Sequence, residues 1–443
     1  MTSLAGKSVH VVGMGLSGVS AARLCLRQGA IVTGFDQRPR AELGEAARHL
    51  PVELRGELSL AALSGADWVV VSPGVDQPAL FDALAARGAL VIGELELGAR
   101  FSEAPICAIG GTNGKSTTTE LVAAMLREAG KKTFSGGNLG TPLCDACGQA
   151  WDYLVVEVSS FQLERAPTFR PDVSVLLNIT DDHLDRHGTF AAYADAKGNA
   201  FANQQPSDVA IGPAGDAVVE RQLRRGQGRI LTFGAGGDYA VEGGGVTEVS
   251  SGFRHVLAET ALSARHNQLN AAAAIAAARA FGTPHEAIGR ALANYRTLPH
   301  RLSLVTRIDG VAYYDDSKAT NVGAAVAAID SLTEPKVVLI AGGKGKDGSY
   351  EPLRQALEQR GRGVVLIGEA AATMADAFAG SVEVQRVATL DAAVAAARGL
   401  AQPGDAVLLA PACASFDMFQ SYADRGRRFV QAVQRLAPTG EAR

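Results

Sequence analysis

The chain has 443 residues, of which 47% are hydrophobic and 20% charged, and its formal net charge is −4. This length predicts two to four domains, and the composition is that of a folded globular protein rather than a disordered one. The basic residues are scattered, which argues against a protein that holds nucleic acid on a basic face. The first residues show no signal-peptide pattern, and the longest alanine-rich run, 271–278, is far shorter than the roughly 20 apolar residues that span a bilayer. We therefore expect a cytoplasmic protein.

Short apolar runs alternate with helical segments along the chain, which predicts an α/β fold with mainly parallel sheets. In the first block we expect strands at 8–13, 30–36, 66–74 and 89–93, with helices at 17–28 and 94–100. In the second we expect strands at 106–110, 153–158 and 173–180, helices from the loop at 110–117 to about 130 and over 267–281, and a small antiparallel segment within 225–260. In the third we expect strands at 311–315, 336–341, 363–368 and 406–410 and a helix at 421–436. The predicted domains are 1–94, 95–299 and 300–443.

The strongest chemical signal is the glycine-rich loop GGTNGKST at 110–117. A strand that enters such a turn, with Lys and Ser opening the next helix, surrounds a phosphate with backbone N–H groups. In this arrangement Lys115 reaches the terminal phosphates and Ser116 binds Mg²⁺. Ile109 stands where the general pattern has glycine, so the loop differs from that of kinases and GTPases.

Candidate metal ligands follow the neighbouring strands. Glu157 ends an apolar strand, so its carboxylate is expected in the crevice where α/β sheets bind ligands. His183 lies in the dense polar segment NITDDHLDRH at 178–187, although a loop histidine by itself is more often unremarkable. Lys197, judged from its local sequence alone, is a solvated helix lysine.

The N-terminal segment GMGLSG at 13–18 matches the dinucleotide-binding fingerprint, and Asp36 ends the second strand. By itself this pattern favours NAD or FAD. Its physical content, however, is only a diphosphate at a helix N-terminus, which a UDP-sugar also supplies. The fingerprint therefore leaves the identity of the nucleotide open.

In the third block, polar or small-residue loops follow three predicted strands, at 314–321, 342–348 and 411–417. Because parallel strands end at one edge of a sheet, these loops are expected to converge. Cys144 and Cys147 form a single C-x-x-C without a second pair, so we expect two small buried residues rather than a metal or redox site.

These motifs together resemble the Mur ligase family, in order and over essentially the whole chain. The segments that carry the resemblance are 111–117, 136–140 (GGNLG), 157–162 (EVSSFQ), 178–186, 265–270 (RHNQLN), His300 with Arg301, 316–321 (DSKATN) and Ser415 with its neighbours. The resemblance implies a Rossmann-like N-terminal domain for a UDP-sugar, a central P-loop ATPase domain and a Rossmann-like C-terminal domain for an amino acid. The chain is most similar to the branch that adds D-glutamate to UDP-MurNAc-L-Ala through an acyl phosphate, in peptidoglycan precursor synthesis.

The resemblance implies ATP and Mg²⁺ as cofactors, small molecules as the only partners, and a monomer. Its catalytic residues are Lys115, His183 and Lys197, and its metal ligands are Ser116, Glu157, His183 and Lys197, with Lys197 carbamylated so that it is anionic. The implied ATP contacts are Gly111, Thr112, Asn113, Gly114, Lys115, Ser116, Thr117, Asn267, Asn270, Arg301, Asp316 and Lys318. The implied UDP-sugar contacts are Gly15, Leu16, Ser17, Asp36, Gln37, Gly74 and Asn138. The implied D-glutamate contacts are Thr320, Lys346, Ser415, Phe416 and Tyr422.

Several alternatives stay open. A folylpolyglutamate synthetase-like ligase would not need the intact N-terminal diphosphate motif, whereas an L-glutamate-adding variant differs by only a few contacts. An NAD-dependent oxidoreductase leaves 110–117 unexplained, and a nucleotide-sensing protein would not need Glu157 and Lys197 together. The sequence departs from the family pattern at Gln37, where a small hydroxyl residue is common, and at Tyr422, where phenylalanine is expected. The loop at 342–348 is also richer in lysine.

Overall fold

The computed structural model describes residues 3–138, 140–345 and 348–436. Within them the strands form three sheets, each flanked by helices. The chain divides into two compact units. One consists of Met1–Ile179, Ala194–Ser263 and Asn267–Tyr295, and the other of Thr180–Tyr193, Ala264–His266 and Arg296–Arg443.

The first sheet is parallel throughout, in the order β3-β2-β1-β4-β5. Its strands are β1 (Ser8–Val12), β2 (Ile31–Phe35), β3 (Glu53–Arg55), β4 (Trp68–Val71) and β5 (Leu90–Gly93). Its helices are α1 (Leu16–Arg27), α2 (Glu45–Arg48), α3 (Leu60–Leu63), α4 (Pro78–Ala85) and α5 (Glu94–Arg100). The chain moves outward from β1 in both directions, so a crevice opens at the carboxyl ends of β1 and β4, where open α/β sheets bind ligands.

The second sheet has the order β14-β13-β12-β11-β10-β9-β6-β8-β7. Its strands are β6 (Ile106–Gly110), β7 (Thr133–Gly137), β8 (Tyr153–Glu157), β9 (Val173–Leu176), β10 (Val209–Pro213), β11 (Arg229–Phe233), β12 (Tyr239–Glu242), β13 (Gly245–Glu248) and β14 (Phe253–Val256). The helices of this part of the chain are α6 (Lys115–Glu128), α7 (Ser160–Leu163), α8 (Leu184–His187), α9 (Phe190–Gly198), α10 (Ala217–Leu223), α11 (Arg265–Ala280) and α12 (His285–Asn294). Every residue of β6 is buried, because helices cover both faces of a parallel sheet.

The third sheet has the order β15-β16-β20-β17-β18-β19 and is parallel except for the β15–β16 pair. Its strands are β15 (Ser303–Ile308), β16 (Val311–Asp315), β17 (Val337–Gly342), β18 (Gly361–Ile367), β19 (Glu383–Arg386) and β20 (Ala406–Leu409). Its helices are α13 (Val322–Ser331), α14 (Glu351–Arg360), α15 (Ala371–Phe378), α16 (Leu390–Leu400) and α17 (Tyr422–Gln434). The strands β16, β20 and β17 are parallel neighbours, so the three loops that follow them leave the sheet at one edge, as predicted, over the residues that the structure describes.

The predicted α/β architecture is confirmed. The antiparallel segment predicted within 225–260 is confirmed for β12 to β14 but is wrong for β11, which is parallel to β10 and β12 because it continues the parallel sheet. The strand predicted over 173–180 is too long: it ends at Leu176, and Leu177 and Asn178 beyond it bond to the backbone of the phosphate loop at Gly110 and Thr112. The strand predicted over 66–74 is shorter for a similar reason, since Pro73 and Gly74 line a cavity. In the described part of the chain, no helix is long and apolar enough to cross a membrane.

Candidate active site

The glycine-rich loop connects β6 to α6, and two of its glycines adopt backbone angles that other residues avoid. Gly111 has φ 143° and Gly114 has φ 88°. A Cβ at Gly114 would lie 2.3 Å from Oδ1 of Asn270, so α11 packs directly on the loop. Asn270 fills the space that a side chain at position 114 would need, so α11 packs against this turn and supports its conformation.

Asn178, which sequence reasoning placed in a motif without a role, braces the same loop. Its carbonyl accepts the N–H of Thr112 at 3.0 Å, and its Oδ1 accepts the N–H of Asn113 at 2.9 Å. Its Nδ2 donates to the carbonyl of Asn113 at 3.1 Å. These hydrogen bonds fix the backbone of the loop at Thr112 and Asn113.

Two buried oxygen groups meet beside the loop. Glu157, at the end of β8, is 3% exposed, and its Oε2 accepts the hydroxyl of Ser116 at 2.6 Å. Its Oε1 accepts Nδ2 of Asn138 at 2.8 Å. Both partners donate to the carboxylate, so their hydrogen bonds compensate for burying it.

The two lysines of the predicted catalytic set lie in the same unit as the loop. Nζ of Lys115 donates to the carbonyl of Thr112 at 2.9 Å. Lys197, on α9, is 3% exposed, and its Nζ donates to the carbonyl of Gly111 at 2.9 Å. The expectation from local sequence that Lys197 is solvated is therefore wrong, because the helix turns this side chain into the loop.

The remaining predicted ATP contacts divide between the two units. Asn267 and Asn270 are on α11, and Nδ2 of Asn270 lies 3.5 Å from Oδ1 of Asn267. Arg301, Asp316 and Lys318 belong to the other unit. Burial raises the pKa of Asp316 to about 7, and the positive charge of Arg301 opposes this shift.

A cavity of about 710 Å³ opens at the carboxyl ends of β1, β2 and β4. All the predicted UDP-sugar contacts line it, namely Gly15, Leu16, Ser17, Asp36, Gln37, Gly74 and Asn138. The fingerprint packs as its spacing requires: a Cβ at Gly18 would lie 1.9 Å from the carbonyl oxygen of Gly13. The structure thus gathers seven residues from four separate segments of the sequence.

Asp36 is occupied by protein partners within this cavity. Its Oδ2 accepts the N–H of Met14 at 2.8 Å, and its carboxylate pairs with the guanidinium of Arg38 at 2.9 to 3.0 Å. The hydrogen bonds from Arg38 are the main reason that the pKa of Asp36 is lowered to about 2. The carboxylate therefore stays ionised and also fixes the turn after β1.

His183 lies in the segment 180–193, which packs in the second unit. Its backbone is left-handed, with φ 56° and ψ 32°. Its N–H donates to Oδ1 of Asp182 at 3.0 Å, and Nδ2 of Asn321 donates to the other carboxylate oxygen at 3.1 Å. Asp182 and Asn321 were not singled out from the sequence, and only the density of polar residues in 178–187 pointed to the first.

Of the predicted amino-acid contacts, Thr320 and Tyr422 both lie next to Lys318. Ser415 is buried, Phe416 is 73% exposed, and Lys346 lies outside the described residues. Nζ of Lys318 lies 4.0 Å above the ring of Tyr422, and the N–H of Thr320 donates to the carbonyl of Lys318 at 2.8 Å.

Arg425 organises these loops, although it was not singled out from the sequence. It is fully buried, and its guanidinium donates to the hydroxyl and carbonyl of Ser317 and to the carbonyl of Cys413. Burial lowers the pKa of this guanidinium to about 10. One side chain thus joins the loop after β16 to the loop after β20.

Within 3–138, 140–345 and 348–436, no group of three or more His, Cys, Asp or Glu residues could hold a metal ion. Cys144 and Cys147 are buried thiols that pack against the first sheet, as expected.

Comparison with known proteins places these features in a family. Three protein-family models match the chain. The family model described as "Mur ligase MurD-like, N-terminal domain" matches residues 7–93, "Mur ligase middle domain" matches 109–278, and "Mur ligase, glutamate ligase domain" matches 300–413. A protein from Desulfosudis oleivorans named UDP-N-acetylmuramoylalanine–D-glutamate ligase is 44% identical, with 99% of this chain and 98% of that protein aligned. The chain belongs to the Mur ligase family.

Other relatives of this Mur ligase carry the same name. The protein from Myxococcus xanthus is 42% identical over 98% of this chain and 99% of its own length, and that from Pseudomonas fluorescens is 43% identical over 96% and 98%. Among solved structures, the MurF ligase from Thermotoga maritima in complex with ADP has a TM-score of 0.63 at 20% identity, covering 98% of this chain and 96% of its own. UDP-N-acetylmuramate-alanine ligase MurC from the same organism has a TM-score of 0.61 at 20% identity, covering 97% and 100%. The structural neighbours confirm the fold of the Mur ligase.

Proposed function

We propose that this protein is an ATP-dependent ligase that adds D-glutamate to UDP-N-acetylmuramoyl-L-alanine in peptidoglycan precursor synthesis. The relatives named for that reaction align over nearly the whole chain. The observation that carries the proposal is the short chain of contacts between cavity and loop. Asn138 lines the cavity and donates to Glu157, which in turn accepts the hydroxyl of Ser116 in the phosphate loop.

In the proposed reaction, the substrate carboxylate attacks the γ-phosphorus of ATP, and ADP leaves. The amine of D-glutamate then attacks the acyl phosphate, the tetrahedral intermediate expels phosphate, and the amine loses a proton. A carboxylate is a poor electrophile, so phosphorylation supplies the leaving group that amide formation needs. The protein contributes mainly positioning and neutralisation of charge.

Residues 111–117 are proposed to hold the phosphates of ATP through Lys115 and through backbone N–H groups other than those of Thr112 and Asn113, which bond to Asn178. Asn267, Asn270, Arg301, Asp316 and Lys318 are proposed as further ATP contacts. The seven cavity residues are proposed to hold the UDP-sugar, whose diphosphate fits the N-terminus of α1. Thr320, Lys346, Ser415, Phe416 and Tyr422 are proposed for D-glutamate.

Mg²⁺ is proposed at the oxygens of Ser116 and Glu157, which are 2.6 Å apart and are hard donors of the kind this ion prefers. When bound, the ion neutralises charge on the phosphate oxygens. His183 is proposed as a further contact. Lys197 is proposed to act as a carbamate, because an ammonium group beside the loop would repel the ion.

The proposed domain boundaries are 1–94, 95–299 and 300–443, and each range matched by the family lies inside one of them. A cytoplasmic location and a monomeric state are proposed with them. A ligase that adds L-glutamate would have the same cavity and the same phosphate loop, so an experiment must distinguish it from one that adds D-glutamate.

The test is a phosphate-release assay on purified protein with ATP, Mg²⁺, UDP-MurNAc-L-Ala and a panel of amino acids. Phosphate release that depends on D-glutamate, with a product heavier by one glutamate residue, is the expected result. Product with L-glutamate but not with D-glutamate would overturn the proposed specificity. Absence of phosphate release with every amino acid would overturn the ligase activity itself.

A further inference from the structure

The left-handed backbone of His183 requires support from its surroundings. Residues with a Cβ rarely adopt this conformation, and they persist in it only where neighbouring contacts impose it. The first of these contacts is the carboxylate of Asp182, whose Oδ1 accepts the N–H of His183 at 3.0 Å. The imidazole Nε2 lies 3.7 Å from the other carboxylate oxygen. The orientation of the Asp182 carboxylate therefore constrains the backbone and the ring of His183.

Asn321 fixes the orientation of that carboxylate. Asp182 and Asn321 are each 7% exposed, and Nδ2 of Asn321 donates to Oδ2 of Asp182 at 3.1 Å. The two oxygens of Asp182 are thus held by different donors, the amide of Asn321 and the N–H of His183. A carboxylate held at both oxygens cannot rotate without breaking a buried hydrogen bond.

The orientation of the Asn321 amide is itself determined by helix α13. Asn321 is the N-cap of that helix, and its Oδ1 accepts the N–H of Ala324 at 2.8 Å. Because the oxygen must face this N–H donor, the NH₂ group must face Asp182. The helix cap and the Asp182 carboxylate together allow the Asn321 amide only one orientation.

We propose that Asn321 is a positioning residue for the ligase reaction, acting through Asp182 to hold His183 in the geometry that it needs at the reacting phosphates. This inference rests on the proposed function, in which His183 contacts the metal and substrate. Asn321 itself need touch neither. Partners that orient a ligand from behind typically change metal affinity or activity by roughly 10- to 100-fold when replaced.

The decisive experiment exchanges donor and acceptor. Asn321→Asp keeps an oxygen to cap α13 but removes the NH₂ donor and places two carboxylates together. Asp182→Asn in the same chain restores the hydrogen bond with its roles exchanged, because the side chain at position 182 now donates and the side chain at position 321 accepts. We expect Asn321→Asp to raise the half-saturating Mg²⁺ concentration or lower kcat by roughly 10- to 100-fold, and the double variant to recover most of the loss.

A second readout does not depend on turnover. In the protein without substrates, at one fixed pH, the NMR signals of the His183 ring, assigned with His183→Gln, should shift in Asn321→Asp and return toward the original position in the double variant. Because this measurement needs no ligase activity, it tests the link between Asn321 and His183 even if the proposed function fails in the phosphate-release assay.

Two further variants keep the test informative about folding. Asn321→Ser keeps a capping oxygen and adds no charge, so it should reproduce the shift if Asn321→Asp fails to fold. Thr389→Ala removes the cap of α16, where the Thr389 hydroxyl accepts the N–H of Ala392, and it should leave the His183 signals unchanged. Unchanged His183 signals and Mg²⁺ dependence in folded Asn321→Asp or Asn321→Ser would overturn the proposal. A folded double variant without recovery would overturn it as well.

Discussion

Alanine at Gly18 should lower stability, whereas alanine at Gly15 should weaken substrate binding, although both glycines belong to the same six-residue motif. A Cβ at Gly18 would lie 1.9 Å from the carbonyl oxygen of Gly13 and 3.1 Å from the hydroxyl of Ser72, which donates to that same carbonyl at 2.6 Å. A Cβ at Gly15 would meet no protein atom within 4 Å, and the φ of Gly15 is −76°, which alanine tolerates. Gly18 is therefore required for packing, whereas Gly15 leaves space in the cavity.

The expected magnitudes follow from these contacts. Overpacking against backbone costs about 3 kcal/mol at its upper range, and the better helix propensity of alanine returns about 1 kcal/mol, so Gly18→Ala should lose roughly 2 kcal/mol of unfolding free energy. Gly15→Ala should stay within about 1 kcal/mol, the typical effect of alanine at an N-cap. If the diphosphate of the UDP-sugar contacts the backbone at Gly15, losing one charge-assisted hydrogen bond of about 1.5–3 kcal/mol should raise KM by roughly 10- to 100-fold.

Urea unfolding followed by circular dichroism measures the first effect, and KM for UDP-MurNAc-L-Ala measures the second. Each variant serves as the control for the other, because the two substitutions add the same methyl group three residues apart. A larger loss of stability at Gly15 than at Gly18 would refute the packing argument. An unchanged KM in Gly15→Ala would refute the placement of the diphosphate.

Three other expectations concern separate parts of the molecule. Lys197→Ala should abolish phosphate release, and a short carboxylic acid should restore part of it if the side chain acts as a carbamate; full activity in the variant would remove that role. Arg425→Lys should destabilise the chain by roughly 2–3 kcal/mol in urea unfolding, because an ammonium group cannot reach the Ser317 and Cys413 acceptors together, and a wild-type midpoint would contradict this. Burial lowers the pKa of His255 to about 4, so between pH 6.5 and 4 the unfolded chain binds a proton that the folded chain does not. Stability should therefore fall as the pH falls through this window, and His255→Gln should flatten the dependence.

The chemical motifs could be predicted because each depends on neighbours in the sequence. The phosphate loop needs a strand, glycines with positive φ and a helix that begins with Lys and Ser, and all of these lie within 106–128. Most of the UDP-sugar cavity could be predicted in a similar way, because its segments at 15–17, 36–37 and 74 follow strands that the sequence predicts. Asn138, in contrast, follows the strand at 133–137. The strands at 133–137 and 209–213 were missed, because glycine and proline weaken their β pattern. The strands at 53–55, 303–308 and 383–386 were missed as well.

The sequence by itself determined which residue types stand at the ends of which strands, and with them the family, the phosphate loop and the predicted ligands. Only the tertiary structure decided which side chains support them. Asn178 meets Asn113 across 65 residues, and Asn321 meets Asp182 across 139. The physical reason is that strand, turn and cap patterns express short-range sterics and hydrogen bonding. Such long-range partners, in contrast, are set by the order and register of the sheets and by how the loops pack at their ends.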